Sequence, residues 1–495
     1  MIYHSTRDHS CRLSGPEAIL QGLAPDGGLM IFETLPAFDV KEALKLDPIR
    51  LQAALLSAFF PEIPEMEALV SKAYLPKFDT PEITPTVPVG PFTVLELFHG
   101  PTYAFKDIAL CILPYLMRES LRLTGKDASS RLHILTATSG DTGKAAMAGF
   151  ANVPGILLTV FYPHGGVAPM QRLQMVTQQG ENLSASAIIG DFDDAQSGVK
   201  KLFMDQRFGE KLGERGIHLS SANSINIGRL IPQIMYYFKA YQDLLSRGHI
   251  HMGDEVNFCV PTGNFGDILA GYLAKLLGLP VGRLLVASNQ NNVLTDFFHT
   301  GIYDRRRELV KTTSPSMDIL ISSNLERLLY LLSESCGETA AYMKQLQEEG
   351  FYRVSDQLKE KLDESFWSGF TTDEEAASAI GEVYQSHQYL LDPHTAAGWH
   401  AAKVYQKEHP EDARPMVVLS TASVFKFPKV VLEAASAKTA DPVTASSDPF
   451  EQLDQLSAFS SLSVPANLAL IRSLPELHPA VIEPSEMKAF VMERS

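Results

Sequence analysis

Three times along this chain a short apolar run gives way to a loop of small and hydroxylated residues and then to an amphipathic helical pattern. That alternation admits few folds other than an α/β protein built on parallel strands. The first instance runs from Leu132-His133-Ile134-Leu135 through Thr136-Ala137-Thr138-Ser139-Gly140-Asp141-Thr142-Gly143 into Lys144 and Ala145. The second is Val256 to Val260, then Pro261-Thr262-Gly263-Asn264-Phe265-Gly266, then a helix from Asp267 to Leu277 that Gly278 closes. The third is Met416-Val417-Val418-Leu419, then Ser420-Thr421-Ala422-Ser423, then a helix beginning near Pro428. Such loops follow the carboxyl ends of strands, where ligands bind in open α/β sheets.

Between the first two instances lie strand patterns at Gly155 to Pro163 and Leu183 to Ile189, and helical ones at Pro169 to Gln179 and Asp193 to Leu212. The block from about 131 to 205 therefore reads as a smaller α/β unit inserted in a larger one. A chain of 495 residues exceeds what one core supports. Prolines at 76, 81, 85, 88 and 91 mark a connection. The expected division is an N-terminal domain over 1–90, a core over 91–430 that contains the small mobile unit, and a C-terminal helical segment over 431–495. The acidic stretch 340–385 reads as solvated helices.

A formal net charge of −16 argues against a nucleic-acid backbone as the main partner, so an anionic ligand needs a locally positive site. Cys11, Cys111, Cys259 and Cys336 form no CxxC pair, and His394 and His400 miss the one-face spacing of a metal pair. No metal is expected from these spacings. The polar start Met1-Ile2-Tyr3-His4 lacks an apolar leader core, and no apolar stretch reaches membrane-span length, which predicts a cytoplasmic protein with no membrane contact.

One lysine stands out from the rest. Lys106 ends the run His99-Gly100-Pro101-Thr102-Tyr103-Ala104-Phe105, between a strand over Thr93 to Phe98 and a helix that continues through Leu113, Leu116 and Leu121. A lone lysine is most often a solvated surface residue. A buried one loses its charge readily, and the neutral amine condenses with aldehydes. Asp107 reads as a first-turn or capping residue. Gly263 to Gly266 either makes a tight turn or converges backbone N–H groups on an anion at a helix start. Thr138, Ser139 and Thr142 offer hydroxyls at a second helix start, as an anion site or as a cap. Arg229, after Asn223-Ser224-Ile225-Asn226-Ile227-Gly228, can fork onto a phosphate.

With these residues in view, the chain resembles the threonine synthases, pyridoxal-phosphate enzymes of the tryptophan-synthase-β fold type. The likeness runs through Tyr3 to Arg7, Gly22 to Leu29, His99 to Asp107, Thr138 to Gly143, Gly263 to Asp267, Ser314 to Ile319 with Ser323-Asn324, and Asp392-Pro393-His394-Thr395. The resemblance implies a fold-type II architecture, with two parallel-sheet α/β sub-domains plus an N-terminal domain. It implies that Lys106 holds pyridoxal 5'-phosphate as a Schiff base, and that Gly263, Asn264, Phe265, Gly266 and Asp267 surround the cofactor phosphate. Thr421 would meet the pyridine nitrogen and Asp141 would lie near the phenolic oxygen. Thr138, Ser139, Thr142, Asn223 and Arg229 would hold the substrate's carboxylate and phosphate. Ser423-Val424 replaces the His-Pro of many members, and Asp141 stands where distant members have asparagine.

The reaction so implied converts O-phospho-L-homoserine and water to L-threonine and phosphate, the last step of threonine biosynthesis. A phospholyase of the same fold, giving 2-oxobutyrate, phosphate and ammonia, would share every early step. A non-catalytic metabolite-binding protein is the third alternative, and retention of Lys106 speaks against it. The expected assembly is a monomer or small homo-oligomer.

Overall fold

The helix Lys106–Leu123 is the spine of the molecule: eleven of its residues from Asp107 to Met117 include only one, Tyr115, that is not buried. A polar helix could not be enclosed in this way, and its apolar stripe continues on three sides. On one side it meets the N-terminal helices, including Met66–Tyr74, where the Tyr74 hydroxyl donates to the Ile108 carbonyl at 2.7 Å. On another it packs against the helix Asp141–Phe150 at a very close crossing. A Cβ on Gly149 there would sit 2.1 Å from the Leu110 carbonyl oxygen, so only glycine permits the contact.

The computed structural model describes residues 1–125, 130–138 and 140–495. Its larger sheet has six strands in the order Phe366–Phe370, Val281–Ser288, Val256–Pro261, Met416–Ser420, Phe92–Glu96 and Thr86–Val89. All neighbours are parallel except the last pair, a hairpin. The smaller sheet is wholly parallel, in the order Val481–Ile482, Leu183–Ile188, Ile156–Pro163, Arg131–Ala137 and Ile217–Ser220. An antiparallel three-stranded sheet, Leu13–Ser14, Ile2–Ser5 and Met30–Phe32, supports the N-terminal helices. The parallel α/β class expected from the strand-loop-helix pattern is the one observed.

Three details differ from the sequence reading, each for a local reason. The helical pattern over 193–212 is two helices, Phe192–Met204 and Gln206–Gly213, because Asp205 caps the second by accepting from the Phe208 N–H at 3.0 Å. The acidic stretch 340–385 includes the strand Phe366–Phe370 at the edge of the larger sheet, as well as helices. The segment after 431 is helical at Pro449–Ser460 and Met487–Glu493, but its residues Val481 and Ile482 join the smaller sheet beside Ala187 and Ile188.

Candidate active site

Parallel pairing of Phe92–Glu96 with Met416–Ser420 sets two loops side by side at the strands' carboxyl ends. The lysine loop and the loop after Ser420 then stitch together: Phe105 N–H donates to the Thr421 carbonyl at 2.9 Å, and Ser423 N–H to the Tyr103 carbonyl at 3.0 Å. Tyr103 adopts φ 60°, a left-handed turn that reverses the chain into the helix. The buried Asp107 carboxylate fixes that turn, accepting from Thr102 N–H at 2.8 Å and from its hydroxyl at 2.6 Å. The first-turn role read for Asp107 is thus a staple onto its own preceding loop.

Lys106 opens the helix with its side chain 12% exposed. Its Nζ lies 3.4 Å from Ser316 Oγ and 3.8 Å from Asp141 Oδ2. Burial lowers its pKa to about 8, against the pull of Asp141 and with the help of Lys426 and Arg229. The Asp141 carboxylate also accepts from Lys426 Nζ at 2.7 Å, Gln171 Nε2 at 2.8 Å and Ser316 Oγ at 3.2 Å. Burial by itself would raise this carboxyl; Lys426 and then Lys106 overcome it and hold Asp141 well below the usual carboxylate range. Lys426 is wholly enclosed and makes a second bond to the Thr102 carbonyl at 3.1 Å. The carboxylate at 141 is therefore charge-compensated by this chain's own lysines.

The glycine loop is backed by the segment that follows Ser316. Ser322 Oγ donates to the Gly263 carbonyl at 2.6 Å, and Asn324 N–H to the Asn264 carbonyl at 3.0 Å. A Cβ at Gly263 would fall 2.7 Å from the Ser316 carbonyl oxygen. Phe265 takes φ 64° and sends its ring into the core, stacked on Phe298 at 5.9 Å, so only its backbone remains for the loop. Gly266 begins the helix Gly266–Leu276, whose dipole favours an anion at this end. Asp267 differs from its neighbours: Oδ1 accepts from the Tyr236 and Tyr237 hydroxyls at 2.6 and 3.0 Å. Burial pushes this carboxyl up to about 7, against those two hydrogen bonds.

The hydroxyl-rich loop is partly a cap. Thr138 Oγ1 accepts from Gly140 N–H at 3.0 Å and Gly143 N–H at 2.9 Å, and Thr142 is half-buried in the first helical turn. Ser139 lies outside the described residues. Thr421 is buried beside the lysine loop. Arg229 is 5% exposed and donates through Nη1 to the Ala222 carbonyl at 2.9 Å. Its Nε and Asn223 Oδ1 are buried without a partner among the described residues, and no described carboxylate pairs with the guanidinium. Burial alone brings the Arg229 pKa down to about 10.

Four contributors escaped the sequence reading. Lys426, Ser316 and Gln171 surround Asp141, and His394 holds Ser316 in place. His394 Nε2 accepts from Ser316 N–H at 3.2 Å, while Nδ1 faces Asp392 Oδ1 at 2.9 Å, which fixes a neutral ring with the proton on Nδ1. Ser316 and His394 lie within segments that carried the family resemblance, and that was their one signal. Lys426 and Gln171 offered none, because their partner is remote in sequence.

The N-terminal residues 2–74 match the family model "Threonine synthase N terminus", and residues 395–470 match "Threonine synthase, C-terminal". Threonine synthase-like 1 of Macaca fascicularis is 38% identical over 94% of this chain and 62% of its own length, so the chain spans about three fifths of that relative. Threonine synthase of Pseudomonas aeruginosa is 37% identical over 97% of this chain and 98% of its own. The structure of PLP-bound threonine synthase from Brucella melitensis superposes with a TM-score of 0.86 at 36% identity, covering 100% of this chain and 99% of that one. Identity at this level along nearly the full length of both chains, with one fold throughout, is more than shared architecture requires. The chain belongs to the threonine synthase family.

Proposed function

We propose that this protein converts O-phospho-L-homoserine and water to L-threonine and phosphate, with pyridoxal 5'-phosphate carried on Lys106. The observation that carries the reading is Arg229: a buried guanidinium without a carboxylate partner among the described residues, close enough to depress Lys106, is a site built for an anion that arrives from outside. An amine with pKa about 8 suits the aldehyde of that cofactor, and a glycine loop that opens the helix Gly266–Leu276 suits its phosphate.

When bound, the cofactor supplies an electron sink for charge developing beside the substrate's Cα. The rest falls to the protein. Gly263, Asn264, Phe265 and Gly266 would hold its phosphate through backbone, with Asp267 bracing the helix start on Tyr236 and Tyr237. Thr421 would face the pyridine nitrogen, where a hydroxyl, unlike a carboxylate, does not demand a proton. Asp141 would meet the phenolic oxygen. With Lys426 sharing its charge, it presents less net repulsion there than an unpaired carboxylate. Thr138, Ser139, Thr142, Asn223 and Arg229 would orient the two anionic ends of the substrate. The freed Lys106 Nζ is then a base of suitable pKa to carry protons at the carbon chain.

We read residues 1–90, 91–430 and 431–495 as the working divisions, with about 131–205 as the mobile part. Closure over the substrate would exclude water from unstable species. No helix among the described residues is long and apolar enough to cross a membrane. A cytoplasmic location and a monomer or small homo-oligomer complete the proposal. The deciding experiment supplies the pyridoxal-phosphate-loaded protein with O-phospho-L-homoserine and quantifies phosphate, threonine and 2-oxobutyrate together, with Lys106→Ala as control. Phosphate matched by threonine is expected. Phosphate matched by 2-oxobutyrate would replace the reading with the lyase.

A further inference from the structure

The N-terminal strand and the turn after it bring two histidines against a cysteine from the far side of the sequence. His4, His9 and Cys336 each offer one donor atom, and the three atoms lie within 4.8 Å of one another. The His4 and His9 ring centroids are 4.3 Å apart. His4 and Cys336 are buried, and His9 is exposed. None of the three takes part in the chemistry proposed above.

His4 is oriented as a metal-binding histidine is. Its Nδ1 faces the Ser5 carbonyl at 2.8 Å, an oxygen that can only accept, so the proton sits on Nδ1 and the Nε2 lone pair is free to bind. The Tyr330 hydroxyl, 3.1 Å from Nε2, now donates to that lone pair and would yield it. Cys336 is the first residue of the helix Cys336–Glu348, which fixes its sulfur at the helix start. Its thiol donates to the same Ser5 carbonyl at 3.4 Å.

We propose that His4 Nε2, a His9 ring nitrogen and Cys336 Sγ form a binding site for one divalent cation of borderline softness, with zinc as the best match to two imidazoles and a thiolate. Donors in a tetrahedral zinc site stand nearer to one another than 4.8 Å, and the exposed His9 is the member free to swing inward. On binding, the Cys336 S–H bond breaks, the sulfur–metal bond forms and the proton passes to solvent. The cation then ties the first ten residues to a helix more than three hundred residues away, reinforcing the hydrogen bonds from Tyr330 to His4 and from Cys336 to Ser5 that already span that separation. Local spacing could not reveal such a site, since Cys336 lies more than three hundred residues from His4 and His9.

The test uses the full-length, tag-free protein, stripped of metal by a chelator and titrated with Co²⁺. One equivalent should produce thiolate-to-cobalt charge-transfer absorption and the visible bands of a tetrahedral ion, with release of one proton, and Zn²⁺ should bleach both. His9→Ala alters an exposed side chain and should weaken binding at least roughly tenfold; Cys336→Ser should abolish the charge-transfer band. Absence of that band in the wild type would overturn the proposal, as would undiminished affinity in His9→Ala. Threonine formation need not change in His9→Ala, so failure here is distinct from failure of the proposed reaction.

Discussion

Lys426 Nζ donates to Asp141 Oδ1 at 2.7 Å inside the protein, with Lys106 Nζ 3.8 Å from the other oxygen of the same carboxylate. Three charged groups share one enclosed space, and their sum is one positive charge. Removing Lys426 strips the buried carboxylate of its directly hydrogen-bonded cation and leaves it only Lys106, 3.8 Å away. Lys426→Met should therefore cost roughly 3–5 kcal/mol of stability. Asp141→Asn combined with Lys426→Met should recover most of that loss, since no carboxylate is then stranded and Lys106, its pKa already brought down to about 8, can shed its proton. Urea denaturation of the single and double variants reads this directly, and equal losses in both would show that the lysine acts through packing alone.

Arg229 predicts the opposite sign. A buried guanidinium with an unpartnered Nε is paid for elsewhere in the fold, so Arg229→Met should leave the ligand-free protein as stable or more stable. The same change should lower kcat/KM for the phosphorylated substrate by roughly 10²-fold, the worth of about two charge-assisted hydrogen bonds. A thermal melt alongside steady-state kinetics separates the two effects. A fall in both stability and turnover would mean that Arg229 is structural.

Capture of pyridoxal phosphate by the cofactor-free protein should depend on the neutral fraction of Lys106. With the pKa brought down to about 8, the rate rises with pH through that value and levels above it. The absorbance change on mixing, followed from pH 6.5 to 10, measures it. A midpoint near the ordinary lysine value of 10.5 would show an amine still held in its charged form.

Gly263→Ala drives a methyl to within 2.7 Å of the Ser316 carbonyl oxygen. The backbone must shift, at a cost of roughly 1–3 kcal/mol. Because Ser316 also contacts Lys106 and Asp141, the variant should bind pyridoxal phosphate at least tenfold more weakly while keeping its far-ultraviolet circular dichroism. Equilibrium dialysis of the cofactor decides the matter.

The parts of the molecule that obey a local rule are legible in the amino-acid sequence alone. Strands that end in Thr138, Gly263 and Thr421 loops follow from the period of apolar residues and the turn chemistry after them. What the sequence hides is what depends on partners remote in the chain. Asp141 is an uncompensated charge in its own loop, and only the fold closes Lys426 over it. Asp205 breaks a helix whose apolar period runs straight across it, because capping by one carboxylate outweighs a continuing stripe. Phe366–Phe370 sits inside an acidic, helix-like stretch and declares itself only by pairing with Leu284 to Ser288.

Val481 and Ile482, which extend the smaller sheet beside Ala187 and Ile188, impose an order on biosynthesis. At roughly 5–20 residues per second, about 300 residues separate translation of the two strands by some 15–60 s. Sheet pairing is far faster than that. For the whole interval the Leu183–Ile188 strand emerges with one edge unpaired, open to a neighbouring nascent chain or to a chaperone. Residues such as Ser184 and Ser186, polar where a buried parallel strand is ordinarily apolar, make that waiting edge less adhesive.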